Sequence, residues 1–381
     1  MRPLRIAMIG QRGVPATWGG VERHVEEIGA RLVERGHQVT VFCRRNYSDD
    51  ARATYRGMEL RHKTTVSTKH FDAITHSAIS TLSAIRDGKF DVVHYHAIGP
   101  GLLSPLPRLI GRAKVVQTVH GLDAERAKWG PFATGVLRTA SWTSSHVPHA
   151  TIVVAEHLAR FYAARWNRTT DLIPNGVGQM EPRPADEIRQ TWGLGDTKYL
   201  LFVGRLVPEK APDRLIRAFR AVPGDVRLVL AGGSSFSDGF RAAVQDLADR
   251  DDRVVLTGNV YGNALAELYS NASAFVLPSD LEGLPLTLLE AAAYGTPVIV
   301  SDIPPHLEIV GDDGPGHRVF PAGEEAALAR AIAEALRDAR EERHGAAKLR
   351  DKVLREYSWD AAVDATEKVY ERVTHGVRTR K

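Results

Sequence analysis

Tyr199-Leu200-Leu201-Phe202-Val203-Gly204-Arg205-Leu206-Val207-Pro208-Glu209-Lys210 is an apolar run that stops at a glycine and is followed by two fixed cations. The run has no polar alternation, so it reads as a strand over residues 199–204 buried on both faces, as in a parallel sheet. The same signature recurs in both directions along the chain. Upstream, strands are expected at 6–10, 39–43, 59–62, 91–96, 114–120, 151–155 and 170–173. Amphipathic helices are expected between them at 21–35, 72–86, 101–110, 132–144 and 156–164. The pattern then restarts, with strands at 199–204, 226–231, 253–257, 274–278, 297–301 and 317–320 and helices at 208–221, 237–248, 263–270, 286–294, 305–310 and 324–340. Alternating strand and helix means βαβ units. The turn-rich Pro174-Asn175-Gly176-Val177-Gly178 separates the two series and places a boundary near 176. The expected fold class is therefore α/β, with two doubly wound, Rossmann-like domains, 1–175 and 176–358. Ligands of such sheets sit beyond the carboxyl ends of the strands, so a ligand shared by both domains is expected in a cleft.

At 381 residues, two domains is the natural division. A hydrophobic share of 43% with 25% charged residues is ordinary for a soluble globular protein. Cys43 is the only cysteine, which rules out an intrachain disulfide and cysteine-rich metal sites. The opening residues run straight into a strand and no stretch approaches a membrane span, so a cytoplasmic setting is expected. The net charge of +4 is unevenly spread: residues 1–175 carry 24 Lys/Arg against 14 Asp/Glu, and residues 176–381 carry 26 against 32. A basic first half suits an anionic partner, either nucleic acid or a bilayer surface; the plain alternative is solubility charge.

The second half holds the densest chemistry. Arg205 and Lys210 follow a strand that ends in Gly204. Arginine offers a planar fork to phosphate oxygens and lysine a movable point charge. In Glu282-Gly283-Leu284-Pro285-Leu286-Thr287-Leu288-Leu289-Glu290 one carboxylate lies on a glycine loop and another past the first turn of the next helix. Pro285 suits a first helical position, and the free amides of Leu286 and Thr287 face an anion. Glu290 suits vicinal hydroxyls. Taken alone, the segment also reads as a glycine turn opening an ordinary helix.

In the first half, residues 10–22 form a long glycine-punctuated loop in which Gly19-Gly20 opens a helix and suits a phosphate. No dinucleotide fingerprint or Walker lysine is present. His120 ends a strand beside Gly121 and is suited to a hydroxyl. His94 and His96 share a strand face, but no third metal ligand shows at a suitable spacing, so both read as structural. Asp249-Arg250-Asp251 reads as a solvated turn. No metal site is expected.

Gly204 through Lys210, Glu282 through Glu290 and Pro174-Asn175-Gly176-Val177 together resemble the retaining glycosyltransferases of family 4, which have the GT-B architecture. The opening loop Gly10 to Ala16, Gly19-Gly20-Val21-Glu22, and His120-Gly121-Leu122-Asp123 with Arg126-Ala127-Lys128-Trp129 resemble a subgroup of bacterial surface-polysaccharide pathways, some of whose members transfer rhamnose. The resemblance implies that Arg205 and Lys210 hold the diphosphate of a nucleotide-sugar donor and Glu290 the ribose hydroxyls. It implies that Gly204, Glu282, Gly283 and Leu284 border the donor, with Leu286 and Thr287 at the helix start, Asn259 and Val260 beside the base, Gly19 and Gly20 near the distal phosphate, and His120 near the sugar. Many relatives carry glycine or serine where Pro285 stands, and proline removes an amide donor there. The segment from Tyr357-Ser358-Trp359 onward resembles a terminal helix, about 359–381, that crosses back to the first domain. The implied reaction is transfer with retention, without a metal or other cofactor. Its acceptor is a glycan, a lipid-linked sugar or a small molecule, with peripheral contact with an anionic inner membrane face and no nucleic acid. The rivals on the same architecture are a nucleotide-sugar epimerase and a non-catalytic scaffold.

Overall fold

The computed structural model describes residues 2–17, 19–47, 52–65, 72–122, 131–233 and 238–375. Asp123 and the Arg126–Trp129 motif lie outside these. The chain forms two compact units, Met1–Gly176 with Trp359–Lys381, and Val177–Ser358.

The first unit contains β1 (Arg5–Ile9), α1 (Gly20–Glu34), β2 (Gln38–Arg44), β3 (Thr54–Tyr55), β4 (Met58–Lys63), α2 (Asp72–Asp87), β5 (Val92–His96), α3 (Pro105–Leu109), β6 (Lys114–Val119), α4 (Pro131–His146), β7 (Ala150–Val153), α5 (Glu156–Trp166) and β8 (Asp171–Leu172). Its sheet runs β3-β4-β2-β1-β5-β6-β7-β8, with every pairing parallel except β3 to β4. β1 is apolar on both faces because helices cover both; Ile6, Ala7, Met8 and Ile9 are fully buried. Each large side chain among them contributes roughly 1.5–3 kcal/mol of burial. β1 has β2 on one side and β5 on the other, so the strand order reverses there. The carboxyl ends of β1 and β5, at Gly10 and His96, frame the crevice where ligands of such sheets bind.

The second unit contains α6 (Glu187–Trp192), β9 (Lys198–Val203), α7 (Pro212–Arg220), β10 (Val226–Ala231), α8 (Asp238–Ala248), β11 (Val254–Gly258), α9 (Gly262–Asn271), β12 (Ala274–Leu277), α10 (Leu286–Ala293), β13 (Val298–Ser301), α11 (Pro304–Val310), β14 (His317–Phe320), α12 (Glu325–Arg337) and α13 (Ala339–Glu356). All its strands are parallel in the order β11-β10-β9-β12-β13-β14. The reversal falls between β9 and β12 and brings Gly204 to Lys210 alongside the loop at 278–285. The single helix expected at 208–221 is two pieces, a 3-10 turn Pro208–Lys210 and α7. Ala211 between them is left-handed, φ 48°, and the ring of Pro212, which disfavours right-handed helical backbone in the residue before it, keeps the two pieces from joining. α13 has no counterpart in the expected elements. It is mostly charged and docks through Glu342, Gly345, Ala346, Leu349 and Val353, which recur on one helical face.

The last helix, α14 (Trp359–His375), belongs to the first unit. Arg35, the C-cap of α1, pairs with Asp364 at 2.5 Å, His37 Nε2 meets Glu367 at 2.8 Å, and Tyr370 OH meets His94 Nδ1 at 2.6 Å. The second unit begins and ends at one place: Val177 bridges Ser358, and its amide donates to Tyr357 O at 2.8 Å.

Candidate functional site

Three loops at the carboxyl ends of β9, β10 and β11 are stitched together by backbone. Gly204 N donates to Ala231 O at 3.0 Å, Leu206 N to Gly233 O at 3.0 Å, and Gly232 N to Gly258 O at 2.7 Å. Gly232 sits at φ 154°, and a Cβ there would stand 1.9 Å from Gly204 O. Only glycine permits this approach. The exposed Asn259, with Val260 after it, follows β11, and its side-chain oxygen lies 2.8 Å from where a Cβ of Gly233 would be.

Lys210 closes the turn after β9, and its Nζ donates to Glu282 Oε1 at 2.5 Å. Ser279 Oγ donates to the same oxygen at 2.8 Å. The two charged side chains are only 13% and 11% exposed. Burial by itself would raise the Glu282 pKa, but the charge and hydrogen bond of Lys210 outweigh it, with help from His306 and Ser279, and hold the carboxyl below its ordinary value. The loops are joined a second time where Asp280 N donates to Glu209 O at 2.9 Å, and Arg214 clasps Asp280 in two bonds of 2.7 and 2.9 Å. Behind Ser279, Ser301 Oγ donates to Ser279 O at 2.5 Å and also meets His306 Nδ1 at 3.1 Å. Burial lowers the His306 pKa to about 4, so the ring is neutral at pH 7.

A depressed carboxylate sets the sign of a pH effect. The stability that Glu282 contributes is fully present above its ordinary value of about 4.5 and is lost as pH falls through the lower folded-state value. Comparing melting temperatures of the native chain and Glu282→Gln from pH 7 down to 3 should therefore show the gap between them narrowing only at the acid end. A constant gap would mean the carboxylate carries no charge-dependent stability.

Pro285 is the N-cap of α10, with ψ 107°, and Leu286 is the first helical residue. This corrects the expected first-turn proline: the extended backbone of the 282–285 loop persists one residue further. The amides of Leu286 and Thr287 have no acceptor inside the helix, and Thr287 Oγ1 is buried without a hydrogen-bond partner. Leu284 is buried beneath them, after Gly283. Glu290 accepts from Tyr269 OH at 3.2 Å, and Tyr269 stacks on Tyr294 at 5.4 Å. Arg205 lies half-buried between Gly204 and Lys210. Direct bonds thus join the loops bearing Gly204, Arg205, Lys210 and Glu282, and Gly283, Leu284, Leu286 and Thr287 continue from Glu282. Asn259 reaches the group through Gly233, and Glu290 engages Tyr269. The residues that sequence reading passed over are Gly232, Ser279, His306 and Tyr269. Only the Gly232-Gly233 doublet after a strand offered a signal.

Gly19, Gly20 and His120 lie in the first unit. Gly19 caps α1 at φ 107° and packs against the Glu22 carboxylate. Glu22 accepts from Arg12 N at 3.0 Å, and Glu26 from Ala16 N at 2.7 Å. The first turn of α1 therefore already holds a carboxylate where an anion was expected. His120 follows β6 and meets His24 of α1 with ring centroids 4.6 Å apart, and its Nε2 lies 3.5 Å from His96 Nδ1. His24, His96 and His120 offer ligand nitrogens within 4.8 Å of one another. The histidines that neighbour His96 at such a distance thus come from other elements, α1 and the residue after β6. His94 does not join them, since its nitrogens meet Tyr370 OH at 2.6 Å and Thr118 Oγ1 at 2.7 Å. Burial lowers the His24 pKa to about 4, partly opposed by its bond to Asn175, and burial with neighbouring rings puts His96 and His120 well below the ordinary value. In the acidic triplet, Asp251 is paired with Arg253 at 2.8 Å.

Residues 18–178 match the model of Glycosyltransferase Family 4, and residues 184–351 match that of Glycosyl transferases group 1. An uncharacterized glycosyltransferase of Methanocaldococcus jannaschii is 26% identical over 96% of this chain and 98% of its own. A GDP-mannose-dependent alpha-(1-6)-phosphatidylinositol monomannoside mannosyltransferase of Mycolicibacterium smegmatis is 28% identical over 75% of this chain and 77% of its own. The solved sucrose-phosphate synthase from Thermosynechococcus elongatus superposes with a TM-score of 0.83 at 24% identity, covering 98% of this chain and 99% of its own.

Proposed function

A chain whose two halves match these models is a GT-B glycosyltransferase using a nucleotide-sugar donor, and from that premise we propose that it transfers the sugar with retention at the anomeric carbon. The acceptor we propose is a glycan or lipid-linked sugar, in surface-polysaccharide or glycolipid synthesis. The observation that carries this reading is Lys210, fixed by Glu282 at the strand reversal of the second unit, beside the unfilled amides of α10. As the bond from the anomeric carbon to the diphosphate oxygen breaks, its electrons pass to that oxygen. Lys210, Arg205 and the amides of Leu286 and Thr287 stabilise the growing charge, so no metal is needed for the step. The acceptor hydroxyl attacks on the same face, and its proton passes to the departing phosphate oxygen. Glu282 spends its carboxylate on Lys210 and Ser279, which favours a positioning role over a nucleophilic one. Glu290 is assigned to the ribose hydroxyls and His120 to the donor sugar. The phosphatidylinositol-linked acceptor in the name of the mycobacterial relative supports a lipid-borne acceptor here.

The test is a thermal-shift screen against uridine, guanosine, thymidine and adenosine diphosphate sugars, since a ligand that binds only the native form raises the melting point. The best donor is then incubated with and without glycolipid acceptors, and the anomeric configuration of the product is read by NMR. Conversion of donor to an epimer without acceptor would replace the transferase reading.

We also propose that the first unit rests on an anionic bilayer. No described helix is long and apolar enough to cross a membrane. On α2, at the end of α3 and just after it, Leu82, Leu109 and Ile110 are 59%, 82% and 71% exposed, and Arg86, Arg108 and Arg112 on or next to the same helices are exposed too. Exposed apolar side chains and exposed cations on the same helices match the boundary of an anionic leaflet. Binding to phosphatidylglycerol vesicles should weaken severalfold as salt rises, because screening acts within about 8–10 Å near physiological strength. Leu109→Ser with Ile110→Ser should weaken it at every salt. Equal binding to neutral vesicles would count against the idea.

A further inference from the structure

We propose that three histidines of the first unit, His24, His96 and His120, bind a borderline divalent cation, zinc foremost. The three imidazoles come from α1, the end of β5 and the residue after β6, and the fold alone brings them together. Their ligand nitrogens lie within 4.8 Å of one another. Zinc bonds of about 2.0–2.1 Å place tetrahedral ligands roughly 3.4 Å apart, so modest ring rotations complete the site. The trio is not locked in competing bonds. His96 Nε2 is buried with no hydrogen-bond partner, and the contact of His96 Nδ1 with His120 Nε2, at 3.5 Å, is at the limit of a hydrogen bond.

Asn175 Oδ1 lies 2.9 Å from His24 Nδ1. That atom accepts, so Nδ1 carries the proton and Nε2 keeps its lone pair for a metal, as outer-shell carbonyls do for ligating histidines. His94 packs on His96 with centroids 4.2 Å apart, and both its nitrogens are engaged elsewhere. It therefore buttresses the site without joining it. Three neutral nitrogens and no carboxylate select zinc, copper, nickel or cobalt over magnesium, calcium or manganese. They also leave a fourth position for water or an anionic oxygen. This is a different chemistry from a magnesium clamp on a diphosphate. Because His120 is the residue assigned to the donor sugar, a bound cation withdraws it, and zinc is expected to inhibit transfer. That consequence rests on the function proposed above; the binding itself does not.

The experiment strips the full chain with a chelator and measures zinc uptake by equilibrium dialysis. Cobalt(II) then serves as a visible probe of tetrahedral nitrogen ligation. The expected result is one equivalent bound. Asn175→Ala should weaken the affinity about 10–100-fold, the usual cost of losing an outer-shell partner, and His24→Ala or His96→Ala should abolish it. Zinc-edge X-ray absorption on the native chain, which needs no variant to fold, should show three imidazole nitrogens. Absence of stoichiometric uptake, uptake unchanged in folded His24→Ala and His96→Ala chains, or an absorption spectrum with fewer imidazoles would overturn the site. Uptake by a chain that transfers sugar to no acceptor would overturn the function and leave the site standing. Transfer by a chain that takes up no zinc would do the reverse.

Discussion

Replacing Lys210 by alanine is expected to lower turnover by roughly a hundredfold, the cost of removing one preorganised donor to a developing anion. The structure adds a second consequence. Lys210 also compensates Glu282, which is largely buried. Removing one member of a buried pair costs about 3–5 kcal/mol, because the other charge is stranded. The single variant should therefore be both slower and less stable, and the two losses have different origins. Adding Glu282→Gln to Lys210→Ala removes the stranded carboxylate. The double variant is expected to regain most of the lost melting temperature and none of the turnover. Measuring both quantities on the four chains of the cycle separates them. Turnover recovering together with stability would show that Lys210 acts only through folding.

Gly232→Ala is expected to be nearly as damaging, although the residue carries no chemistry. The new Cβ would stand 1.9 Å from Gly204 O, at a backbone φ of 154°. Strain at such a conformation costs about 1–3 kcal/mol and overpacking about the same again. Relief requires the β9 loop to move, and that loop carries Arg205 and Lys210. Donor affinity should thus fall at least tenfold even in molecules that remain folded. Gly224 also has a positive φ, of 98°, but has open space around it. Gly224→Ala there should cost stability while leaving donor affinity untouched. Equal donor affinity in the two variants, by calorimetry with the best nucleotide sugar, would argue that the stitched loops do not shape the site.

The α/β class could be read from the chain because buried parallel strands leave an unmistakable mark. Ile6 to Ile9 and Leu200 to Val203 are apolar at every position, which neither an amphipathic helix nor a half-exposed strand tolerates. α13 escaped because its apolar face is thin: Gly345 and Ala346 dock where larger residues would have announced it. The split at Ala211 was written in Pro212, but the amphipathic pattern runs through it. The loops of the candidate site drew attention through glycines and charges near strand ends. Their couplings did not, since Lys210 and Glu282 are 72 positions apart and nothing local links them. Ser279 and His306 act from beneath Glu282, and no spacing rule points to a residue whose role is to hold another. The histidine trio shows the same limit from the other side. Metal-ligand spacing describes ligands on one element, whereas these come from positions 24, 96 and 120 on three.

The bridge between Val177 and Ser358 has a bearing on synthesis at the ribosome. One unit is a continuous length of polypeptide whose two ends already touch; the other is interrupted by it and lacks α14 until residues 359–375 emerge. Domains generally fold as whole units while the chain is being made. The interrupted unit, although begun first, is therefore finished last, and during that interval the α1 surface that receives Asp360, Asp364 and Glu367 stays open to chaperones. Removing residues 359–381 alone should thus harm the opening half of the protein and spare the half next to the cut.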